Sequence, residues 1–280
     1  MSNSERAGDL PTVLIAAFDG WNDAGSAATA AVELLAEEWD AYTVDTFDPE
    51  DYHDFQVNRP ISMIDEEGVR HLEWPDTTVS VARSPQGRRV VFVQGVEPSL
   101  RWRTYCDEII RAARGHNAKL IICVGALLAD TPHTRPIPVH RTSNAAHIQA
   151  DFEVSSSDYE GPSGIVGVLA HLAIEQGLPS ISVWAAVPHY VAQPPSPKAT
   201  LALLGAIEET LGEPLPTGEL LEESRAWQRG VDELADQDPE ISEYVRQLEE
   251  AKDTSELPEA TGEAIAREFE RYLRRRDDGG

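Results

Sequence analysis

The sequence predicts an α/β domain with a mostly parallel sheet covered on both faces by helices, continued by an acidic helical extension. Three observations carry this reading. Short β-branched runs alternate with helical patterns over most of the chain, Gly212, Pro214, Pro216 and Gly218 then interrupt any helical period, and beyond them the pattern is helical only. The expected division is an α/β domain over residues 1–212 and an acidic extension over residues 213–280.

Six runs read as strands because they are continuous, bounded by Gly, Pro or Asp, and too short for independent helices: residues 13–18, 42–46, 77–82, 90–93, 120–124 and 180–184. Helical patterns lie between most of them, over residues 24–39, 102–114, 164–176 and 197–211. The first of these is Ala-rich, and Gly177 followed by Pro179 stops the third. Alternation of this kind favours parallel strands, since each crossover helix returns the chain to the same end of the sheet. Residues 61–74, with Glu66, Glu67 and Gly68 between two mixed runs, read as a hairpin inserted at an edge.

Past the break, three apolar stripes follow helical spacing. Leu220, Trp227, Val231 and Leu234 form the first; Ile241, Tyr244, Val245 and Leu248 the second; Ile265, Phe269, Tyr272 and Leu273 the third. Asp238 and Pro239 supply an N-cap and a first-turn proline to the second. Packing on the main domain or on a neighbouring subunit is their expected use.

The chain is long enough for one sizeable core. No stretch approaches the roughly 18 apolar residues of a membrane helix, and residues 1–8 are polar with no apolar run behind them, so a cytoplasmic protein is expected. With 23 basic and 49 acidic residues the formal charge is −26, which repels polyanions and argues against nucleic acid as a partner. Cys106 and Cys123 fall in a predicted helix and a predicted buried strand, outside metal or redox spacing, and read as reduced core thiols.

Chemistry-bearing residues concentrate where predicted strands end. Residues 18–25, 94–103, 125–136 and 187–190 are dense in His, Arg, Asp, Trp, Gly and Pro, and parallel strands bring such loops to one edge. The plain alternative for each is a turn whose Gly and Pro satisfy backbone geometry. In GALLADTPHTRP, His133 and Arg135 stand between Pro132 and Pro136, and a stiffened guanidinium can clamp a carboxylate or phosphate. Arg59, Arg101 and Arg103 add cations near the same edge, with surface ion pairing as the plain alternative. Gly161, Ser163 and Gly164 precede a predicted helix, with Ser163 a candidate N-cap and free amides able to meet an anion. The reading is an anion pocket with Arg135 as main clamp, Arg59, Arg101 and Arg103 as further cations, His133 beside the anion, and the Gly161–Gly164 turn as backbone donor. No P-loop, dinucleotide fingerprint or G-x-S-x-G elbow occurs, and no His or Cys spacing compels a metal, so no cofactor and no metal are expected.

The same segments carry a family likeness. GWNDAG, DYHDFQVNRP, GVEPSLRWR, GALLADTPHTRP, YEGPSGIVGVL and PSISVWAAVPHYVAQPPSPKATLALL, in this order, resemble the bacterial branch of the proteasome assembly chaperone family named for its second member. The resemblance implies a three-layer α/β/α fold similar to nucleoside phosphorylases, a tendency to homo-oligomers, and no established reaction for bacterial members. Eukaryotic and archaeal relatives help assemble or bind the proteasome core, some through a terminal hydrophobic-Tyr-any tripeptide. Here Asp277, Asp278, Gly279 and Gly280 close the sequence, so docking through such a tripeptide is not expected. Two functions follow as expectations: a protein-assembly chaperone or scaffold whose partners are its own copies and proteasome or other assembly components, or a ligand-binding protein or enzyme using the anion pocket, with any catalytic residue unassigned.

Overall fold

In the computed structural model residues 10–65 and 67–256 are described. The third apolar stripe, from Ile265 to Leu273, and Glu66 of the hairpin lie outside them. Strand and helix alternate from β1 (Val13–Asp19) and α1 (Ala27–Glu38) through β2 (Tyr42–Phe47) and the short α2 (Pro49–Tyr52). After β3 (Ile61–Ile64) and β4 (Arg70–Glu73) come β5 (Thr77–Arg83), β6 (Arg89–Val96) and α3 (Trp102–Gly115). β7 (Leu120–Ala129), β8 (Val139–Thr142), α4 (Ala146–Phe152), α5 (Ile165–Glu175), β9 (Ser180–Pro188) and α6 (Pro197–Leu211) complete the α/β part. Then α7 (Leu220–Gln237) and α8 (Pro239–Glu256) follow.

Seven strands form one sheet in the order β2-β5-β6-β1-β7-β9-β8. Its centre, β6-β1-β7-β9, is parallel, whereas β5 and β8 run against their neighbours and β2 runs against β5. Only β5 and β8 therefore oppose the common direction, and the sheet is mostly parallel. Central strands are buried on both faces, as a covered parallel sheet requires. Alternate residues serve opposite layers: Val13, Ile15 and Ala17 face α1 and α6, while Leu14, Ala16 and Phe18 face α3 and α5. The result is three layers, α/β/α.

Sequence and structure differ in places with a physical reason. β7 and β9 continue five and four residues past their predicted ends at Val124 and Trp184, because they pair with each other up to Ala129 and Pro188. Val139–Thr142 and Ala146–Phe152 carry little signal, being short, mixed and partly exposed, and are strand and helix only because β9 offers its edge and the core takes Ile148. The predicted hairpin forms, but as a separate two-stranded sheet, not as an addition to the edge of the main one.

The chain leaves α6 through a buried ion pair. Arg88, in the β5–β6 turn, donates from Nε to Glu213 Oε1 at 2.7 Å, from Nη2 to Leu211 O at 2.8 Å and from Nη1 to Pro11 O at 2.9 Å, while Ser84 Oγ donates to Glu213 Oε2 at 3.0 Å. Leu215 and Leu220 enter the same core as α1 and α6. In α7 the buried face is Leu220, Val231 and Ala235; Leu234, predicted on that stripe, is exposed.

Candidate functional site at the strand ends

The loops after β1, β6, β7 and β9 do meet along one edge, since these four strands are adjacent and parallel. Main-chain bonds join them: Glu97 N donates to Asp19 O at 2.9 Å and Ala126 N to Asn22 O at 2.7 Å. Asp23, buried, caps α1 from outside its first turn, accepting from Ala28 N at 2.6 Å and from the Thr29 hydroxyl. Burial pushes its carboxyl above the ordinary carboxylate value, against the opposing pull of those bonds. Gly25, between them, has φ of +64°, and a Cβ there would sit 2.6 Å from Ser196 Cβ, so the α1–α6 approach excludes any side chain.

Beside this lies a feature that no single motif announces. Glu97 Oε1 accepts from Asn22 Nδ2 at 2.6 Å and from Ile165 N at 2.8 Å. A carboxylate from the β6 loop thus occupies the N-terminus of α5, where unpaired amides and the helix dipole favour negative charge. The N-cap is Gly164, with no side-chain cap, which corrects Ser163; Ser163 Oγ donates instead to Gly164 O at 3.4 Å. Asn22 presses so closely that a Cβ on Gly164 would lie 2.0 Å from its Oδ1. Gly161 sits under the Tyr159 ring, whose hydroxyl donates to Pro162 O at 2.9 Å.

The loop after β7 is a receptacle for the two C-terminal helices. His133 is 1 % exposed. Its main-chain N–H donates to Tyr190 Oη at 2.7 Å, the Tyr190 hydroxyl lies 2.7 Å from its Nδ1, and its Nε2 lies 3.0 Å from Asp232 Oδ1 on α7. A hydroxyl that accepts from the amide turns its own proton to Nδ1, which leaves Nε2–H to donate to Asp232. Burial holds the imidazole below the ordinary histidine value, with Asp232 acting in the opposite direction. Lys198 Nζ donates to His133 O and, at 2.8 Å, to Gln228 Oε1 of α7.

Arg135 reaches α8. Its Nε and Nη2 donate to Asp253 Oδ1 and Oδ2 at 3.0 and 2.8 Å, and its Nη1 to Glu249 Oε1 at 3.2 Å. Thr134 also donates to Glu249, and Tyr244 Oη donates to Asp130 Oδ1 at 3.2 Å. The Tyr244 ring stacks edge-on to His189 and Tyr190, at 5.4 and 6.0 Å between centroids. Val245 and Leu248 are buried beneath α8, on the predicted second stripe.

Of the predicted anion ligands, then, Arg135 holds carboxylates of the chain itself. Arg101 pairs with Asp51 and lies over the Tyr52 ring, while Arg103, on the first turn of α3, and Arg59, in the loop between α2 and β3, are exposed. His133 and Arg135 share one helix-docking surface; Gly161, Ser163 and Gly164 belong to the Asn22–Glu97 cluster. Nothing in the sequence marks Asn22, Glu97, Asp232, Glu249 and Asp253 as partners here, because each acts through a residue far away along the chain. Two clefts open elsewhere: one of about 260 Å³ beside Trp39, Tyr42 and Arg89, another of about 360 Å³ beside Asp48, Tyr52 and Arg111. Among the described residues no group of three or more His, Cys, Asp or Glu is placed to hold a metal ion, and no helix is long and apolar enough to cross a membrane.

While Arg135 and Arg101 are engaged by carboxylates of the chain, apolar side chains along this edge are open. Trp21, Leu100, Leu127, Leu128 and Tyr159 are all exposed, Trp21 at 69 %.

A family model described as the PAC2 family matches residues 17–235. Among solved structures, a PAC2 family protein from Streptomyces avermitilis is 49% identical with a TM-score of 0.79, covering 84% of this chain and 99% of its own. A proteasome-assembly chaperone homologue from Mycobacterium tuberculosis is 45% identical with a TM-score of 0.76, covering 83% of this chain and 99% of its own. An archaeal proteasome activator from Pyrococcus furiosus, 17% identical with a TM-score of 0.63 over 82% of this chain and 96% of its own, shares the fold. No curated protein matches the chain.

Proposed function

The chain belongs to the PAC2 family, and on that premise we propose that it is a protein-assembly chaperone or scaffold that works through protein–protein contacts in the cytoplasm. One observation carries this reading. At the sheet edge where a small ligand would bind, Arg135 and the α5 N-terminus are already met by carboxylates of the chain, whereas Trp21, Leu127, Leu128 and Tyr159 face solvent. Exposed aromatic and aliphatic side chains beside satisfied charges suit a protein face better than a small-anion pocket.

The Mycobacterium relative, described as a proteasome-assembly chaperone homologue, makes a proteasome component the first partner to try. Native mass spectrometry of protein purified gently from its host tests the reading. Retained protein partners, lost on Trp21→Ala or Leu128→Asp, are the expected result. A retained small anion without any protein would overturn it.

The opposing reading, an anion-binding protein or enzyme, keeps one observation in its favour. The carboxylates on Arg135 sit on α8, and undocking that helix would free the guanidinium fork for an external phosphate or carboxylate.

A further inference from the structure

We propose that the β3–β4 hairpin joins two copies of this chain through antiparallel pairing of β4 with the β4 of a second copy. The inference rests on the protein-contact reading above and names one of its partners.

The hairpin needs a partner. β3 and β4 pair with each other outside the seven-stranded sheet, and every residue of both strands is exposed. A lone two-stranded hairpin is marginal in water. This one also presents Ile61, Met63, Ile64, Val69, Leu72 and Trp74, each between 41 and 60 % exposed. By their pairing Ile61, Met63 and Val69 share one face of the ribbon and Ile64, Leu72 and Trp74 the other, so edge-to-edge pairing with a second copy would extend both apolar faces across four strands.

The register specifies how a second copy fits. Asp65 N donates to Val69 O at 3.0 Å, and the ladder continues through Met63 opposite His71 and Ile61 opposite Glu73. Main-chain groups of residues 69, 71 and 73 therefore turn toward β3, and those of Arg70 and Leu72 turn outward from the unpaired edge of β4. A two-fold axis normal to the hairpin at Leu72 sets Leu72 against Leu72 of the second copy in a hydrogen-bonded pair. His71 then faces Glu73 of the second copy, and Arg70 faces its Trp74. Both combinations are favourable and both occur twice, as an acid–base pair and a cation over an indole. Within one chain His71 Nε2 already lies 3.6 Å from Glu73 Oε1, so the pairing assembles an alternating His–Glu cluster on one face. Centring the axis on His71 would instead oppose His71 to itself.

Cysteine cross-linking tests the geometry in the full chain. Cys106 and Cys123 are buried and stay out of the reaction. Leu72→Cys should give a covalent dimer under mild oxidation, because directly paired Cα atoms lie about 5.5 Å apart, within disulfide reach. Ser62→Cys, across the hairpin on β3, should not, since its two copies stand three strand spacings, roughly 14 Å, apart. In sedimentation the unmodified chain should be dimeric or a multiple of it, and Leu72→Lys should shift it to smaller species with unchanged circular dichroism.

A monomeric unmodified chain at tens of micromolar, an oligomer indifferent to Leu72→Lys, or Ser62→Cys linking as readily as Leu72→Cys overturns the proposal. Should the chain be monomeric and Leu72→Lys abolish capture of a different protein, the hairpin belongs to that protein, and the protein-contact reading alone survives. Cross-linking at Leu72→Cys in a protein that captures no other protein sinks the chaperone reading and keeps this one.

Discussion

Arg135 and Asp253 face each other fork to fork: Nε to Oδ1 at 3.0 Å and Nη2 to Oδ2 at 2.8 Å, across 118 positions of sequence. The guanidinium holds the Asp253 carboxyl below the ordinary carboxylate range. A basic side chain in a strongly acidic protein thus serves to seat α8 on the strand-end edge.

Replacing Arg135 by Lys keeps the charge and loses the fork. Both side chains are partly solvent-exposed, 34 and 53 %, so the global stability should change little. Hydrogen exchange should quicken across Pro239–Glu256 and remain unchanged in Pro197–Leu211. A large fall in melting temperature with unaltered exchange in α8 would instead make Arg135 a residue of the main core.

His133 gives a pH dependence with a definite sign. It is held neutral in the fold, while in the unfolded chain it takes a proton near pH 6.5. The unfolded state therefore binds more protons below that pH, and the contribution of neutral His133 is present above it and lost on acidification. His53 and His116, also lowered by burial, add to the same slope. In thermal melts from pH 8 to pH 5, His133→Gln should show a smaller drop than the parent chain, from a lower start at pH 8. Parallel curves would contradict the assignment.

At Glu97 two substitutions separate charge from hydrogen bonding. Glu97→Gln keeps an acceptor for Ile165 N and should cost about 0.5–1 kcal/mol, the ordinary worth of an anion at a helix N-terminus. Glu97→Ala strands the Nδ2 of Asn22, itself 1 % exposed, and should cost about 2 kcal/mol in denaturant titration. Added phosphate that restores the alanine variant but leaves the parent unaffected would favour the anion reading of the Gly161–Gly164 turn.

The proposed division after residue 212 is tested by where a shortened chain still folds. Ending after Leu211 removes Glu213 and leaves Arg88, 8 % exposed, without its carboxylate, a loss of about 3–5 kcal/mol for a buried pair. Ending after Gly218 keeps Glu213 and Leu215. Circular dichroism melts should find the longer chain a cooperative folder and the shorter one much less stable; equal stability would place the boundary at Leu211 itself.

Burial pushes both thiols up, Cys106 and Cys123 each to about 12. Neither should react with a thiol reagent at pH 8 in the folded chain, and both should react in denaturant. Rapid labelling of the native protein would show that β7 or α3 opens readily.

Local chemistry was enough to read most of the scaffold. Alternating β-branched runs and helical patterns gave the central strands, α6 matched its predicted residues at both ends, and parallel order alone implied that the loops of Asn22, Glu97, His133 and Tyr190 share an edge. These features depend on neighbours a few residues away, and the sequence lists neighbours. Which charge meets which does not depend on them. Arg135 looks the same in sequence whether it awaits a phosphate or holds Asp253, and the amides ahead of Ile165 look open until Glu97, 68 positions earlier, is seen beneath them. Only chain packing decides such pairings, because the electrostatic partner of a side chain is set by distance in space, and here that distance was closed by helices and loops more than sixty residues apart.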